Sequence, residues 1–152
     1  AYAESLVAAV PAGVAKRELD CVASAMGWSG GQLRFQNLPD QWGPGNALLI
    51  TLDHEHVTEV FVAFGEKARR AEEVARDAVA QARRYIASGA AVSEHLADQL
   101  LVPMALAGGG GFTVDVVSQH TRTNAEVIAR FLPVAIAFEK RDAHSHCTVR
   151  QG

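Results

Sequence analysis

Hydrophobic positions along the chain switch between two spacings, and each switch marks a predicted element. Leu6 to Val10 reads as a short strand stopped by Pro11. Gly13 to Met26 carries Ala15, Leu19, Val22 and Met26 at helical spacing. Gly27 and the pair Gly30–Gly31 end that helix. From Gln32 to Leu38, Leu33, Phe35 and Asn37 alternate with Gln32, Arg34 and Gln36, as in a strand. The stretch Pro39 to Asn46 is turn-rich. Ala47 to Leu52 and Thr58 to Phe64 are predicted strands joined by the polar DHEH. Ala71 to Ile86 is a long predicted helix, with Val74, Ala78, Ala82 and Ile86 on one side and Tyr85 beside them. Glu72 and Glu73 at its start, and Arg83 and Arg84 at its end, suit the helix dipole. The predicted order is β-α-β-β-β-α.

The small-residue stretch SGAA, Ser88 to Ala91, is a natural boundary and divides the chain into predicted domains 1–88 and 89–152. In the second, Ser93 can cap a helix with Leu96, Leu100 and Met104 on one face. Pro103 should kink or shorten it. A run of glycines, Gly108 to Gly111, precedes an alternating strand from Phe112 to Ser118. Thr123-Asn-Ala-Glu126 has the capping-box pattern, which places a helix start at Asn124. Val127, Ile128 and Phe131 form its apolar face, and Pro133 ends it. Val134 to Phe138 and His146 to Val149 are predicted closing strands. The order α-β-α-β-β looks like an incomplete sheet layer, because more strands are normally needed to bury both faces. The fold class expected for the whole chain is α+β.

Composition narrows the classes. The chain has 152 residues, 49% hydrophobic and 20% charged, as in globular proteins. A formal net charge of -3 argues against a broad footprint for duplex nucleic acid. Any RNA should be gripped locally, at an end. Cys21 and Cys147 are far apart and outside any C-x-x-C pair, which suits a reducing cytoplasm. No apolar run approaches the roughly 20 residues needed to cross a bilayer, so no membrane partner is expected. The opening residues lack a basic stretch and are not read as a signal peptide. The chain starts without Met in structured-looking sequence, which reads as a fragment or a processed chain.

Among residues able to carry chemistry, His120 falls between a predicted strand and a helix N-terminus. Free N–H groups and the positive end of the dipole favour an anion such as phosphate there. The same field disfavours imidazolium, and a neutral imidazole nitrogen can attack phosphorus. Position alone fits an ordinary hydrogen-bonding histidine at least as well. His95, Asp98 and Gln99 share one side of the preceding helix and can stack on a base, bind a ribose hydroxyl or metal, and hydrogen-bond. An unremarkable helix surface has the same spacing. The glycine run lacks both the Walker lysine and the dinucleotide-binding context. The pairs His54/His56 and His144/His146, the latter beside Cys147, have no further ligands at a recognised spacing, so no metal ligands are assigned. The basic cluster Lys67, Arg69 and Arg70 can touch phosphates or simply be solvated.

EHLADQLLVPMALAGGGGFTV followed by SQHTRTNAEVIARFLPV strongly resembles the C-terminal region of RNA 3'-terminal phosphate cyclases. The match runs from LADQL through PMALAG to HxxTNxxVxxxFLP, in order and at the family's spacing. VAKREL, NLP, GPGN and GEK in the first unit resemble the family's insert domain. The resemblance implies a β-α-β-β-β-α insert domain followed by the final part of a large domain built from repeated β-α-β-α-β-β units. It implies that His120 is the adenylated nucleophile and that His95, Leu96, Ala97, Asp98 and Gln99 contact the nucleotide. Where a bacterial member stacks a tyrosine on adenine, this chain has His95.

The implied reaction converts an RNA 3'-phosphate end to a 2',3'-cyclic phosphodiester with ATP and a divalent cation, Mg or Mn, through a histidine–AMP intermediate. Family members are about twice as long, and their N-terminal half supplies further phosphate and metal ligands. That half is therefore an expected partner, and this chain alone is expected to be inactive or weakly active. The oligomeric state stays open, with a homodimer one option. A non-catalytic, cyclase-like scaffold of ribosome assembly is the alternative, although it would lack the nucleophile. An enolpyruvyl transferase shares the repeated-unit architecture but has no need of the His120 motif.

Overall fold

A computed structural model describes residues 1–152. Four helices and two sheets make the chain α+β, as expected. It divides into two compact units, Ala1–Arg83 and Arg84–Gly152. No helix is long and apolar enough to cross a membrane.

The first unit contains β1 (Tyr2–Ala8), α1 (Ala12–Met26), β2 (Leu33–Asn37), β3 (Gly45–Asp53), β4 (Thr58–Phe64) and most of α2 (Ala71–Ser88). The sheet order is β2-β1-β3-β4, with β1 and β2 parallel and the other neighbours antiparallel. The parallel pair needs a crossover, which α1 supplies. β1 begins earlier than its hydrophobic run suggests, because Ala3 and Ser5 alternate with Val7 on the buried face. Small residues carry little hydropathy signal, yet they let a helix approach closely. Leu48, Ile50 and Phe61 complete that face. Arg17 donates to Glu72 at 2.8 Å and Arg83 to the Ala25 carbonyl, so α1 and α2 run side by side in the same direction.

The buried stripe of α1 is Ala15, Glu18 and Val22, not the expected Ala15, Leu19, Val22 and Met26. Glu18 is fully buried. Its carboxylate accepts from Ser5 Oγ at 2.7 Å and from Asn46 Nδ2 at 2.5 Å. Asn46 pairs with Val7 across the strands and Ser5 with Leu48, which puts both polar groups on the helix-facing side. Burial pushes the Glu18 carboxyl up, and these two hydrogen bonds pull it only part of the way back.

The second unit contains α3 (Glu94–Leu106), β5 (Gly109–Val114), α4 (Gln119–Phe131), β6 (Val134–Lys140) and β7 (Ser145–Gln151). Its antiparallel sheet has the order β5-β7-β6. Val92 extends it through a parallel bridge to Val114. The core is formed by Ala97, Leu101 and Ala105 of α3, Thr121, Ala125 and Ile128 of α4, and Phe112, Val114, Cys147 and Val149 of the strands.

Several local expectations shift. The buried stripe of α3 lies one residue on from Leu96, Leu100 and Met104, because this helix is apolar over more than one face and the small Ala97 and Ala105 fit the closer contact. Val127 and Phe131 of α4 are exposed, leaving Ile128 as the buried member of the expected trio. Ile86 of α2 is likewise exposed. Helix α3 continues through Pro103 to Leu106. Most of the glycine run is strand: Gly109 to Gly111 pair with Arg150 to Thr148. A Cβ at Gly109 would lie 2.7 Å from the Val149 carbonyl oxygen, and its φ of 130° also favours glycine.

Candidate functional site

Helix α4 starts at Gln119, five residues before the predicted start at Asn124. Ser118, not Thr123, is the N-cap, and its Oγ accepts from the Thr121 backbone N–H at 3.1 Å. Thr121 is buried, so the first turn packs as helix. His120 therefore sits within that first turn. The N–H groups there have no intrahelical partner, which favours an anion. The side chain of His120 is 82% exposed and open to an incoming reactant.

His120 Nδ1 lies 3.0 Å from Asp98 Oδ2. Asp98 is held on its other side by Asn124, whose Nδ2 donates to Oδ1 at 2.9 Å and to the Asp98 carbonyl at 3.2 Å. Asp98 lies one turn into α3, and Asn124 one turn beyond His120 on α4. The two helices thus place a histidine, a carboxylate and an amide in one hydrogen-bonded row. A carboxylate beside Nδ1 selects the tautomer that carries its proton there, so Nε2 keeps the lone pair.

Glu94, His95, Asp98, Gln99, Ser118 and His120 line an open depression of about 360 Å³. Small-molecule sites span roughly 300–1,000 Å³. His95, Asp98 and Gln99 come together with His120, as their spacing on one helix side allows. Leu96 and Ala97 are not part of the wall, and Ala97 is fully buried. A larger depression of about 500 Å³ lies in the first unit between α1 and β2. It is lined by Ala12, Leu19, Leu33 and Phe35, with Lys16 and Asp20 paired to each other at 2.8 Å, and it holds no histidine. Chemistry, not size, selects the His120 site.

Sequence reasoning missed Glu94, Ser118 and Asn124. A signal existed only for Asn124, as part of HxxTN, and it was spent on a helix cap. No cluster of three or more His, Cys, Asp and Glu side chains able to hold a metal occurs. The carboxylates in the wall are already engaged, Asp98 by His120 and Asn124, Glu94 by Arg84. These residues alone do not fit a divalent cation.

The remaining candidates sit elsewhere. His56 is exposed beside Glu55. His144 Nδ1 is 3.1 Å from the Ser88 carbonyl, and His146 Nδ1 is 3.2 Å from Thr148 Oγ1. Cys147 faces the core, where burial pushes its thiol up to about 11. Arg69 folds back onto the Phe64 carbonyl and Asp77.

A family model described as RNA 3'-terminal phosphate cyclase matches residues 7–138. A protein of that name from Pseudomonas aeruginosa is 46% identical over 144 residues, covering 95% of this chain and 42% of the relative. One from Ralstonia nicotianae is 50% identical over 141 residues, covering 92% and 40%. One from Salmonella enteritidis is 47% identical over 141 residues, covering 93% and 41%. The chain thus spans about two fifths of the length of these relatives, and matches their C-terminal part.

Proposed function

The chain belongs to the RNA 3'-terminal phosphate cyclase family, and we propose that it supplies the nucleophile and part of the adenosine-binding wall for ATP-dependent cyclisation of RNA 3'-phosphate ends. The observation that carries this reading is the 3.0 Å contact between His120 Nδ1 and Asp98 Oδ2 in a wall shared with His95 and Gln99.

Asp98 holds the Nδ1 proton and orients the ring. His120 Nε2 attacks the α-phosphorus of ATP; an N–P bond forms, the bond to the bridging oxygen breaks, and pyrophosphate leaves. The imidazolium that develops is stabilised by the adjacent carboxylate. An oxygen of the RNA 3'-phosphate then attacks the same phosphorus, the N–P bond breaks, and His120 returns to its neutral form. Finally the neighbouring 2'-hydroxyl oxygen attacks the activated 3'-phosphorus, releasing AMP as its proton passes to solvent. That hydroxyl is already adjacent, which gives a high effective molarity, and it is absent from DNA. In this reading His95 stacks on the adenine and Gln99 hydrogen-bonds the nucleoside, a role supported by their sharing the depression with His120.

A divalent cation, Mg or Mn, would neutralise phosphate charge; its ligands are assigned to the phosphates and to the remainder of the longer protein, not to these residues. The first unit corresponds to the family's insert domain and the second to the closing part of the large repeated-unit domain. The setting is the cytoplasm, and the N-terminal half is the partner without which the chain is inactive or weakly active.

The test uses ATP labelled at the α-phosphate, with this chain alone and with the protein extended to the length of its relatives. The long form should take up label in an acid-labile, alkali-stable linkage that His120→Ala abolishes. The short form should label weakly or not at all. Undiminished labelling of His120→Ala would put the nucleophile elsewhere. Robust turnover by the short form would remove the dependence on the other half. No labelling of the long form would favour the scaffold.

A further inference from the structure

The wall beside His120 contains one acidic side chain that the chemistry above leaves without a role, Glu94. Its carboxylate is tied to Arg84, whose Nη2 donates to Glu94 Oε1 at 2.6 Å. The same guanidinium donates through Nε to Asp115 Oδ2 at 3.1 Å. The Asp115 side chain is fully buried, and its Oδ1 accepts from the Val116 N–H at 2.7 Å. Its own backbone N–H donates to the Val92 carbonyl at 3.3 Å. Asp115 is therefore a fixed point at the end of β5.

The three residues connect the two segments that build the site. Glu94 is the first residue of α3, and Asp98 follows one turn later. From Asp115 the chain runs three residues to Ser118, the cap of α4, and His120 is two further on. Arg84 thus joins the segment carrying Asp98 to the segment carrying His120. Arg84 donates to a single oxygen of Glu94, a contact that needs only an acceptor there, so what it fixes is the place of an acceptor oxygen in the wall. A shift of about 1 Å in a reacting group can lower a rate about a hundredfold.

We propose that Glu94, held by Arg84 against Asp115, is a positioning residue that sets the geometry of the His120–Asp98 pair through its acceptor oxygen and not through its charge. This rests on the adenylation reading given above.

The experiment measures self-adenylation in the protein extended to the length of its relatives. Glu94→Ala breaks the outer contact and leaves the contact between Arg84 and the buried Asp115 intact. It should lower the maximal adenylation rate about tenfold to a hundredfold. KM for ATP and the thermal midpoint should stay close to those of the parent. Glu94→Gln keeps an acceptor for Arg84 and should restore most of the rate. Arg84→Gln should also be slow, and the double variant Arg84→Gln/Glu94→Ala should be no slower than the worse single variant, because both break one chain of contacts. Arg84→Gln leaves Asp115 buried without its partner and can fail to fold; the two Glu94 variants decide the matter without it.

A parent-like rate in Glu94→Ala, with the parent labelling normally, overturns the clamp alone. A Glu94→Gln variant as slow as Glu94→Ala overturns it too, because the charge would then act directly on the reactants. A parent that takes no label overturns the adenylation reading and this inference with it.

Discussion

Asn124 fixes Asp98 from two directions, with one amide nitrogen 2.9 Å from its carboxylate Oδ1 and 3.2 Å from its backbone carbonyl oxygen. The contact joins α4 to α3 at the level of His120 and leaves Asp98 Oδ2 to the histidine ring. Asn124→Ala should therefore slow adenylation by about tenfold to a hundredfold. It should also cost about 1–2 kcal/mol of stability, since Asp98 is partly exposed and water replaces part of the lost bond. Asn124→Asp should be slower still, because it sets a second carboxylate against Asp98. Labelling rates and urea unfolding measured on the same preparations check both statements.

Asp98→Asn tests the tautomer. The amide is nearly the same size as the carboxylate but can present an N–H toward Nδ1, which moves the ring proton to Nε2 and removes the attacking lone pair. The expected loss in adenylation rate is about 10²–10⁴-fold, by analogy with other carboxylate-oriented histidines. Nitrogen chemical shifts of the His120 ring should report the exchange of tautomers; an unchanged ring with an unchanged rate would sink the assignment.

Glu18 should make the first unit less stable as pH rises above about 4.5, the ordinary carboxyl value. Burial raises its folded-state value, against the pull of Ser5 and Asn46. Below 4.5 the group is protonated in both folded and unfolded chains and carries no penalty. As pH climbs, the unfolded chain ionises first and gains, so stability falls until the folded carboxyl ionises as well. Glu18→Gln removes this fall. Denaturant titrations at pH 4 and pH 7 should show the variant gaining on the parent at the higher pH, and no relative gain would refute the direction.

Cys147 should resist alkylation in the native protein. It is fully buried on β7, and loss of hydration pushes its thiol up to about 11. At pH 8 iodoacetamide should leave it unmodified until denaturant is added, after which it should react completely. Peptide mass mapping, with the half-buried Cys21 followed in the same digest, distinguishes the outcomes. Native labelling of Cys147 at the rate seen in denaturant would contradict the packing described for β7.

Element order was legible in the sequence because apolar period and turn residues are local properties. Thr58–Phe64 falls where alternation puts it, and α2 begins at Ala71 as expected. Faces were less legible. On α1, hydropathy favoured Leu19, yet Glu18 is the buried residue, because Ser5 and Asn46 arrive from two strands to satisfy it. On α4, the capping pattern at Thr123 was genuine chemistry at the wrong place, since Ser118 offers its hydroxyl five residues earlier and Thr121 is needed in the core.

The sequence by itself determined the α+β class, the order of elements, and the family, the last through the ordered run from LADQL to HxxTN and FLP. It also put His95, Asp98 and Gln99 on one helix side, because helical spacing is fixed by backbone geometry. Only the tertiary structure decided that Asp98 meets His120 and that the Asn124 amide serves Asp98. The same holds for Glu94, which stands in the wall on an arginine ten residues before it and a buried aspartate twenty-one residues beyond. Hydrogen bonds between elements depend on where two helices and a strand end come to rest, and no local period in a sequence encodes that.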